Sequence, residues 1–278
     1  MVEGSGATQR VIFIVSDHTA VTAEAFAHSL ISQFDGVDTM YTRRPFIDTE
    51  EKVAAVVDEI DGVAASKARP IVFSTFNDPA LQSQLQDTDG LVIGLYNESL
   101  PQVAAELGLE PTKRVGSYHG IGDATRYQLR LDAVDFALMT DDGLGTDHYH
   151  RADLVLIGAS RVGKTPSCLY ISMQYGILAA NYPLVREDHN ELGLPKTLEP
   201  FHDRLYGLTI EPRQLHAIRR QRRPDSPYSD YEVCKSDVAW AERLFTSHGI
   251  PYLDTTSRSI EEIAATIMDE RGLTRRID

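Results

Sequence analysis

Apolar residues follow two rhythms along this 278-residue chain. Short unbroken aliphatic runs alternate with longer stretches in which apolar positions recur every three or four residues. The first pattern predicts strands buried on both faces, and the second predicts the helices that cover them. Val11-Ile12-Phe13-Ile14-Val15 is the first strand, ending in Ser16-Asp17-His18-Thr19. A helix follows, with Ala23, Ala25, Phe26, Leu30 and Ile31 on its apolar side. The spacing then predicts a helix over 49–65, strands over 70–74 and 91–95, and a helix over 100–107.

From Lys113 to His150 the alternation lapses. Tyr118 to Asp123 is rich in turn formers and includes His119, either a phosphate ligand or a turn residue; a helix spans 128–139. Asp141-Asp142-Gly143-Leu144-Gly145 reads as a linker or an active-site loop. The second half restarts the pattern with strands over 154–157, 177–183, 208–210 and 251–253 and helices over 164–174, 211–222 and 231–247. Segment 184–205 is irregular, and Ser259-Ile260-Glu261-Glu262 is a capping box opening a last helix. Strands alternating with helices imply an α/β protein with parallel sheets. The expected division is an N-terminal α/β domain over 1–150 and a second α/β domain over 151–278.

One segment converts this outline into chemistry. Gly158-Ala159-Ser160-Arg161-Val162-Gly163-Lys164-Thr165 matches GxxxxGK[ST], directly after a buried strand and directly before a helix. Four specified positions match by chance about once in a hundred chains of this length, and the strand–loop–helix context makes accident rarer still. The glycines let the backbone curl so that several N–H groups converge on one oxyanion. The helix N-terminus adds the positive end of its dipole. Lys164 supplies a point charge to a β-phosphate, and the Thr165 hydroxyl suits Mg²⁺. Pro166 falls in the first helical turn, where a missing N–H costs nothing. No NKxD motif follows, so a GTPase is not indicated.

Charge narrows the partners. Lys+Arg 27 against Asp+Glu 41 leaves a net charge of -14, which argues against nucleic acid or an anionic membrane surface. Against that background Arg219, Arg220, Arg222 and Arg223, with Arg213 earlier on the same helix, form a local reversal. Arg219 and Arg222 are candidates to clamp phosphate oxygens; the alternative is a solvated helix C-terminus. Asp17, Asp142 and Asp254 are candidates for a general base or metal ligand, each with a turn or cap role as the alternative. Two cysteines, Cys168 and Cys234, are too few for a disulfide framework. No apolar run approaches the ~20 residues of a membrane span, and Met1 to Arg10 lacks the core of a signal peptide, so the expected location is the cytoplasm.

The ordered set Ser16-Asp17-x-Thr19-Ala20-x-Thr22-Ala23-Glu24, Asp141-Asp142-Gly143, the 158–166 loop, Ala179-Ala180-Asn181-Tyr182-Pro183, Gly207-Leu208-Thr209-Ile210 and Ser259 to Ala264 runs through nearly the whole chain. It resembles the bacterial phosphoenolpyruvate synthase regulatory proteins. That resemblance implies a bifunctional serine/threonine kinase and phosphorylase: transfer of phosphate from ADP to a threonine of phosphoenolpyruvate synthase, and its removal by orthophosphate with release of pyrophosphate. Residues 158–165 would bind ADP, Lys164 with Asp142 or Asp17 would carry the chemistry, and the synthase would be the protein partner. A sister family acts on pyruvate, phosphate dikinase; the 179–183 stretch and the Cys234 region are closer to the synthase branch. His18 stands where a smaller residue is expected. A small-molecule P-loop kinase and a non-catalytic nucleotide sensor are the rival readings, and a homo-oligomer is left open.

Overall fold

A computed structural model describes residues 9–66, 68–97, 99–112, 124–185, 193–224 and 226–277. The chain divides into two compact units, Met1–Gly120 and Ile121–Asp278.

In the first unit, strands β1 (Arg10–Val15), β2 (Thr39–Arg44), β3 (Ile71–Ser74) and β4 (Leu91–Gly94) form a wholly parallel sheet in the order β2-β1-β3-β4. Helices α1 (Val21–Ile31), α2 (Glu50–Ser66), α3 (Pro79–Gln86) and α4 (Ser99–Leu107) connect or follow them. The unbroken apolar run of β1 is explained by burial on both faces: Val11, Phe13 and Val15 pack with Val53, Val56 and Ile60 of α2, while Ile12 and Ile14 pack with Ala23 and Ala27 of α1. On α1 the small residues face the sheet. Phe26 and Leu30, expected inside, are about two-fifths exposed, although they share the Ala23–Ala27 face and the Phe26 ring stands edge-on to Phe73 of β3 at 5.8 Å.

The second unit repeats the order. It comprises α5 (Ala124–Met139), β5 (Leu154–Gly158), α6 (Lys164–Tyr175), β6 (Ala179–Pro183), β7 (Leu205–Thr209), α7 (Pro212–Arg222), α8 (Tyr231–His248), β8 (Tyr252–Asp254) and α9 (Ile260–Glu270). Its sheet runs β6-β5-β7-β8, again all parallel. Leu154 and Leu156 face one cluster with Ile171, Ile263 and Ile267, and Val155 and Ile157 face the other with Trp240, Leu244 and Phe245. The capping box of Ser259 and Glu262 opens α9 as expected.

The expected domain limit near residue 150 differs from the observed division. Helix α5 packs against α6 and β6 and so belongs with the second unit. Two elements lie outside those that the apolar pattern predicts. Strand β2 is a half-exposed edge strand of sequence TMYTRR, without an apolar run. Helix α3 did carry a legible start, since the Asp78 side chain caps the Ala80 N–H and Pro79 occupies the first turn. The turn-rich stretch with His119 lies outside the described residues. Among the described residues, no helix is long and apolar enough to cross a membrane.

Candidate active site

The 158–163 turn joins β5 to α6, and its curvature depends on two glycines. A Cβ on Gly158 would stand 2.4 Å from the Leu208 carbonyl oxygen, so a side chain there would collide with the backbone of β7. Gly163 caps α6 with φ 97°, a left-handed conformation that glycine enters without steric cost. Arg161 is also left-handed, at φ 79°, without that freedom. Such non-glycine strain gathers at ligand sites.

Four carbonyls of the turn are tied by side-chain donors. Lys164 Nζ donates to Gly158 O and Ala159 O, each at 3.0 Å. Arg219 donates through Nε and Nη2 to Ser160 O at 3.3 and 3.1 Å, and Thr255 Oγ1 donates to Val162 O at 3.1 Å. In a trans peptide the N–H points opposite the carbonyl of the same plane. Tying these carbonyls therefore aims the N–H groups of 159, 160, 161 and 163 the other way. These N–H groups stand at the N-terminus of a twelve-residue helix, a placement suited to an anion.

Lys164 is buried, 4% exposed, and burial pushes its pKa down to about 8; the nearby Asp142 carboxylate is the strongest influence pulling it back up. Asp142 belongs to a short 3-10 turn, Asp141–Gly143, and is itself left-handed at φ 51°, ψ 38°. Asp141 Oδ1 accepts from Thr165 Oγ1 at 2.7 Å and from Asn181 Nδ2 at 2.6 Å. The Asp142 N–H donates to Asn181 Oδ1 at 3.1 Å. Lys164, Thr165, Asp141 and Asp142 are thereby gathered at the start of α6. A hydroxyl beside a carboxylate is a hard oxygen donor pair of the type Mg²⁺ takes together with phosphate oxygens. Among the described residues no group of three or more His, Cys, Asp or Glu could hold a metal ion, so any cation here would need ligand oxygens as well.

A model of the kinase/pyrophosphorylase family matches residues 12–268. The chain belongs to that family. A relative from Deinococcus radiodurans is 44% identical over 259 residues, covering 93% of this chain and 94% of its own. Relatives from Pseudomonas aeruginosa and Alkalilimnicola ehrlichii are 43% and 45% identical, covering 96% and 97% of this chain and 98% of each relative. All three carry the name "Putative phosphoenolpyruvate synthase regulatory protein".

The family match spans both units, and the other candidate residues separate on inspection. Asp17 lies in the first unit, where it accepts the Asn77 N–H at 3.1 Å and burial raises its pKa. Asp254 is exposed and accepts from Thr256 N and Oγ1, a turn-capping role. Arg222 is exposed at the end of α7. Arg219 is only 1% exposed. Besides Ser160 O, its guanidinium reaches Tyr228 O, pairs with Asp237 at 2.8 Å and lies 4.3 Å from the Tyr228 ring centroid. Its premise as a solvated cation fails, because this side chain braces the loop from within the protein. Both cysteines are buried and free.

Sequence reasoning had no role for Asn181, Thr255, Tyr228 or the Asp141 side chain. Asn181 carried a usable signal: a polar amide within a strand that is otherwise buried needs a reason. Thr255 and Tyr228 carried none, since their contacts with the loop span 93 and 68 residues of chain.

Proposed function

We propose that this protein is a bifunctional threonine kinase and phosphorylase acting on phosphoenolpyruvate synthase, with ADP as donor in one direction and orthophosphate as acceptor in the other. The observation that carries the reading is the gathering of Asp141 and Asp142 onto Thr165 and Lys164 at the mouth of the 158–163 turn. Family membership and the names of the relatives support the target.

In this reading the N–H groups of the turn and Lys164 hold the ADP phosphates, with the β-phosphoryl group facing Asp142. The Asp142 carboxylate takes the proton of the target threonine hydroxyl as its oxygen bonds to the β-phosphorus, and the bond to the α-phosphate oxygen breaks to release AMP. In the opposite direction an orthophosphate oxygen bonds to the phosphorus of phosphothreonine, the bond to the threonine oxygen breaks, and Asp142 returns the proton. The product is pyrophosphate. Lys164 offsets negative charge that builds on the transferred group. Mg²⁺, when bound through Thr165 and Asp141, would supply further charge neutralisation. The acceptor is a protein side chain, which fits a chain with net charge -14 better than nucleic acid does.

The deciding experiment incubates the protein with purified phosphoenolpyruvate synthase and ADP, followed by mass spectrometry of the synthase. A phosphothreonine that appears with ADP and disappears on addition of orthophosphate, with pyrophosphate released, is the expected result. Transfer to a metabolite with no synthase present would replace this reading with that of a small-molecule kinase. Activity on pyruvate, phosphate dikinase in preference to the synthase would move the target.

A further inference from the structure

We infer that Asn181 is a positioning residue, whose side-chain amide locks the Asp141–Asp142 turn onto the phosphate loop; the inference rests on the phosphoryl-transfer reading above. Asn181 sits in β6 opposite Leu156 of β5 and is fully buried. Its neighbours Ala179 and Ala180 are buried as well. An apolar residue would meet the packing demand there, so a carboxamide calls for partners. It has them: the Cys168 thiol of α6 is one, and the rest lie in one segment. Nδ2 donates to Asp141 Oδ1 and Oδ1 accepts the Asp142 N–H. The backbone N–H donates to Thr140 O at 3.3 Å, and the backbone carbonyl accepts from Tyr149 Oη at 2.7 Å. Four hydrogen bonds of one residue thus hold residues 140–149.

The pattern selects asparagine. A carboxylate partner requires a donor and a backbone N–H requires an acceptor, so only a side chain carrying both at this length serves. Aspartate would lack the donor and place two carboxylates together. Leucine would lack both groups. Asp142 occupies a left-handed conformation that a non-glycine residue keeps only when its surroundings impose it, and the bond from its N–H to Asn181 is one such constraint. Asp141, oriented by the same amide, meets Thr165. Apart from the Cys168 thiol of α6, the side-chain partners of Asn181 are the two aspartates, so its influence on the reaction passes through them. The charged and titratable groups around this cluster include Lys164 and Cys168 from α6, Tyr149 from the turn before β5 and Tyr182 from β6.

Two measurements test the inference. Hydrogen exchange by mass spectrometry on the full chain, without substrate, reads the turn itself. Steady-state kinetics with synthase, beside calorimetric ADP binding, reads the consequence. In Asn181→Leu, amides within 140–149 should exchange at least about tenfold faster while those of 164–175 stay protected. The kcat should fall about 100-fold, as expected of a misplaced catalytic group, with the ADP Kd changed by less than about threefold. Should that variant fail to fold, Asn181→Asp, which preserves shape, is read in the same way. The reciprocal double variant Asn181→Asp with Asp141→Asn restores a donor–acceptor pair and should regain the exchange protection. Unchanged exchange in 140–149, or kcat and ADP affinity falling together, would overturn the inference. If the wild-type protein shows no transfer to synthase, the functional reading falls, and the exchange result alone decides the clamp.

Discussion

The two units share a strand order and differ in what they place after the first strand of each sheet. β1 and β5 each lie inside a four-stranded parallel sheet and each lead through a short loop into a helix. Even the cap is alike: Ala20 before α1 and Gly163 before α6 are both left-handed, with φ 62° and 97°. The second unit puts glycine at that cap and follows it with Lys164. The first puts Ala20 there, where a side chain costs roughly 1–2 kcal/mol, and follows it with Val21. Its loop is organised by side chains instead: Thr75 Oγ1 donates to Ser16 Oγ at 2.9 Å, and Asp17 accepts the Asn77 N–H. At the same sheet edge a cleft of about 830 Å³ is lined by amides such as Asn77, Gln82 and Asn97 and by Tyr96, with no Lys or Arg among its described lining residues. The shared backbone route is therefore insufficient for anion chemistry, which resides in the donors grafted on it.

The largest expected effect tests that contrast directly. Lys164→Ala should lower phosphoryl transfer about 10³-fold in both directions, the scale of losing one preorganised charge at a developing anion, with a circular dichroism spectrum like that of the wild type. Survival of either direction at near wild-type rate would show that the loop is not the shared site. Next in size is the pair of carboxylates. Asp142→Asn should lower kcat about 10²- to 10³-fold with ADP binding retained, whereas Asp17→Asn, in the other unit, should change kcat less than about threefold. The reverse ranking, measured under saturating ADP, would transfer the proton role to the first unit.

The arginines sharpen the comparison on the stability side. Arg219→Ala removes the buried cation that pairs with Asp237 and frees the Ser160 carbonyl, so a loss of about 3–5 kcal/mol is expected, read as a lowered denaturation midpoint. Arg222→Ala, at an exposed position, should stay within about 0.5 kcal/mol. Equal midpoints for the two variants would refute the brace.

The smallest effect is a pH dependence with two opposite signs. Burial lowers the Lys164 pKa to about 8 from its ordinary 10.5. Between these values the unfolded chain binds the extra proton, so this group adds stability as pH rises from about 8 to 10.5. ADP affinity should move the other way, weakening above pH 8 as the free protein loses its charge. Calorimetric titrations from pH 6.5 to 9.5, with Lys164→Ala as the flat control, check the binding arm.

Much of this was legible early because its causes are local. A buried parallel strand announces itself as a continuous apolar run, as β1, β3 and β5 do; β4 carries the same run although it is only half-buried. The phosphate loop is equally local, since glycines, lysine and threonine must be adjacent for one turn to work. The capping box of α9 needs only Ser259 and Glu262, three residues apart. β2 escaped notice because an edge strand is specified by its partner: Thr39 to Arg44 become a strand by pairing with β1.

What determined the chemistry of individual side chains was distance in space across long stretches of chain. Arg219 reads as one of several surface cations until α7 and α8 bury it behind Ser160, 59 residues away. Asp141 and Asp142 are indistinguishable neighbours in sequence. Asn181, about 40 residues on, separates them by accepting a backbone N–H from one and donating to the carboxylate of the other. The sequence by itself determined the two α/β units and the loop, because secondary structure and the 158–165 motif depend on short-range periodicity and adjacency. Tertiary structure alone decided which carboxylate meets Thr165, which arginine is a brace and where the domain limit falls. Burial and hydrogen-bond satisfaction are properties of packed neighbours, and the order of residues does not contain them until the chain has folded.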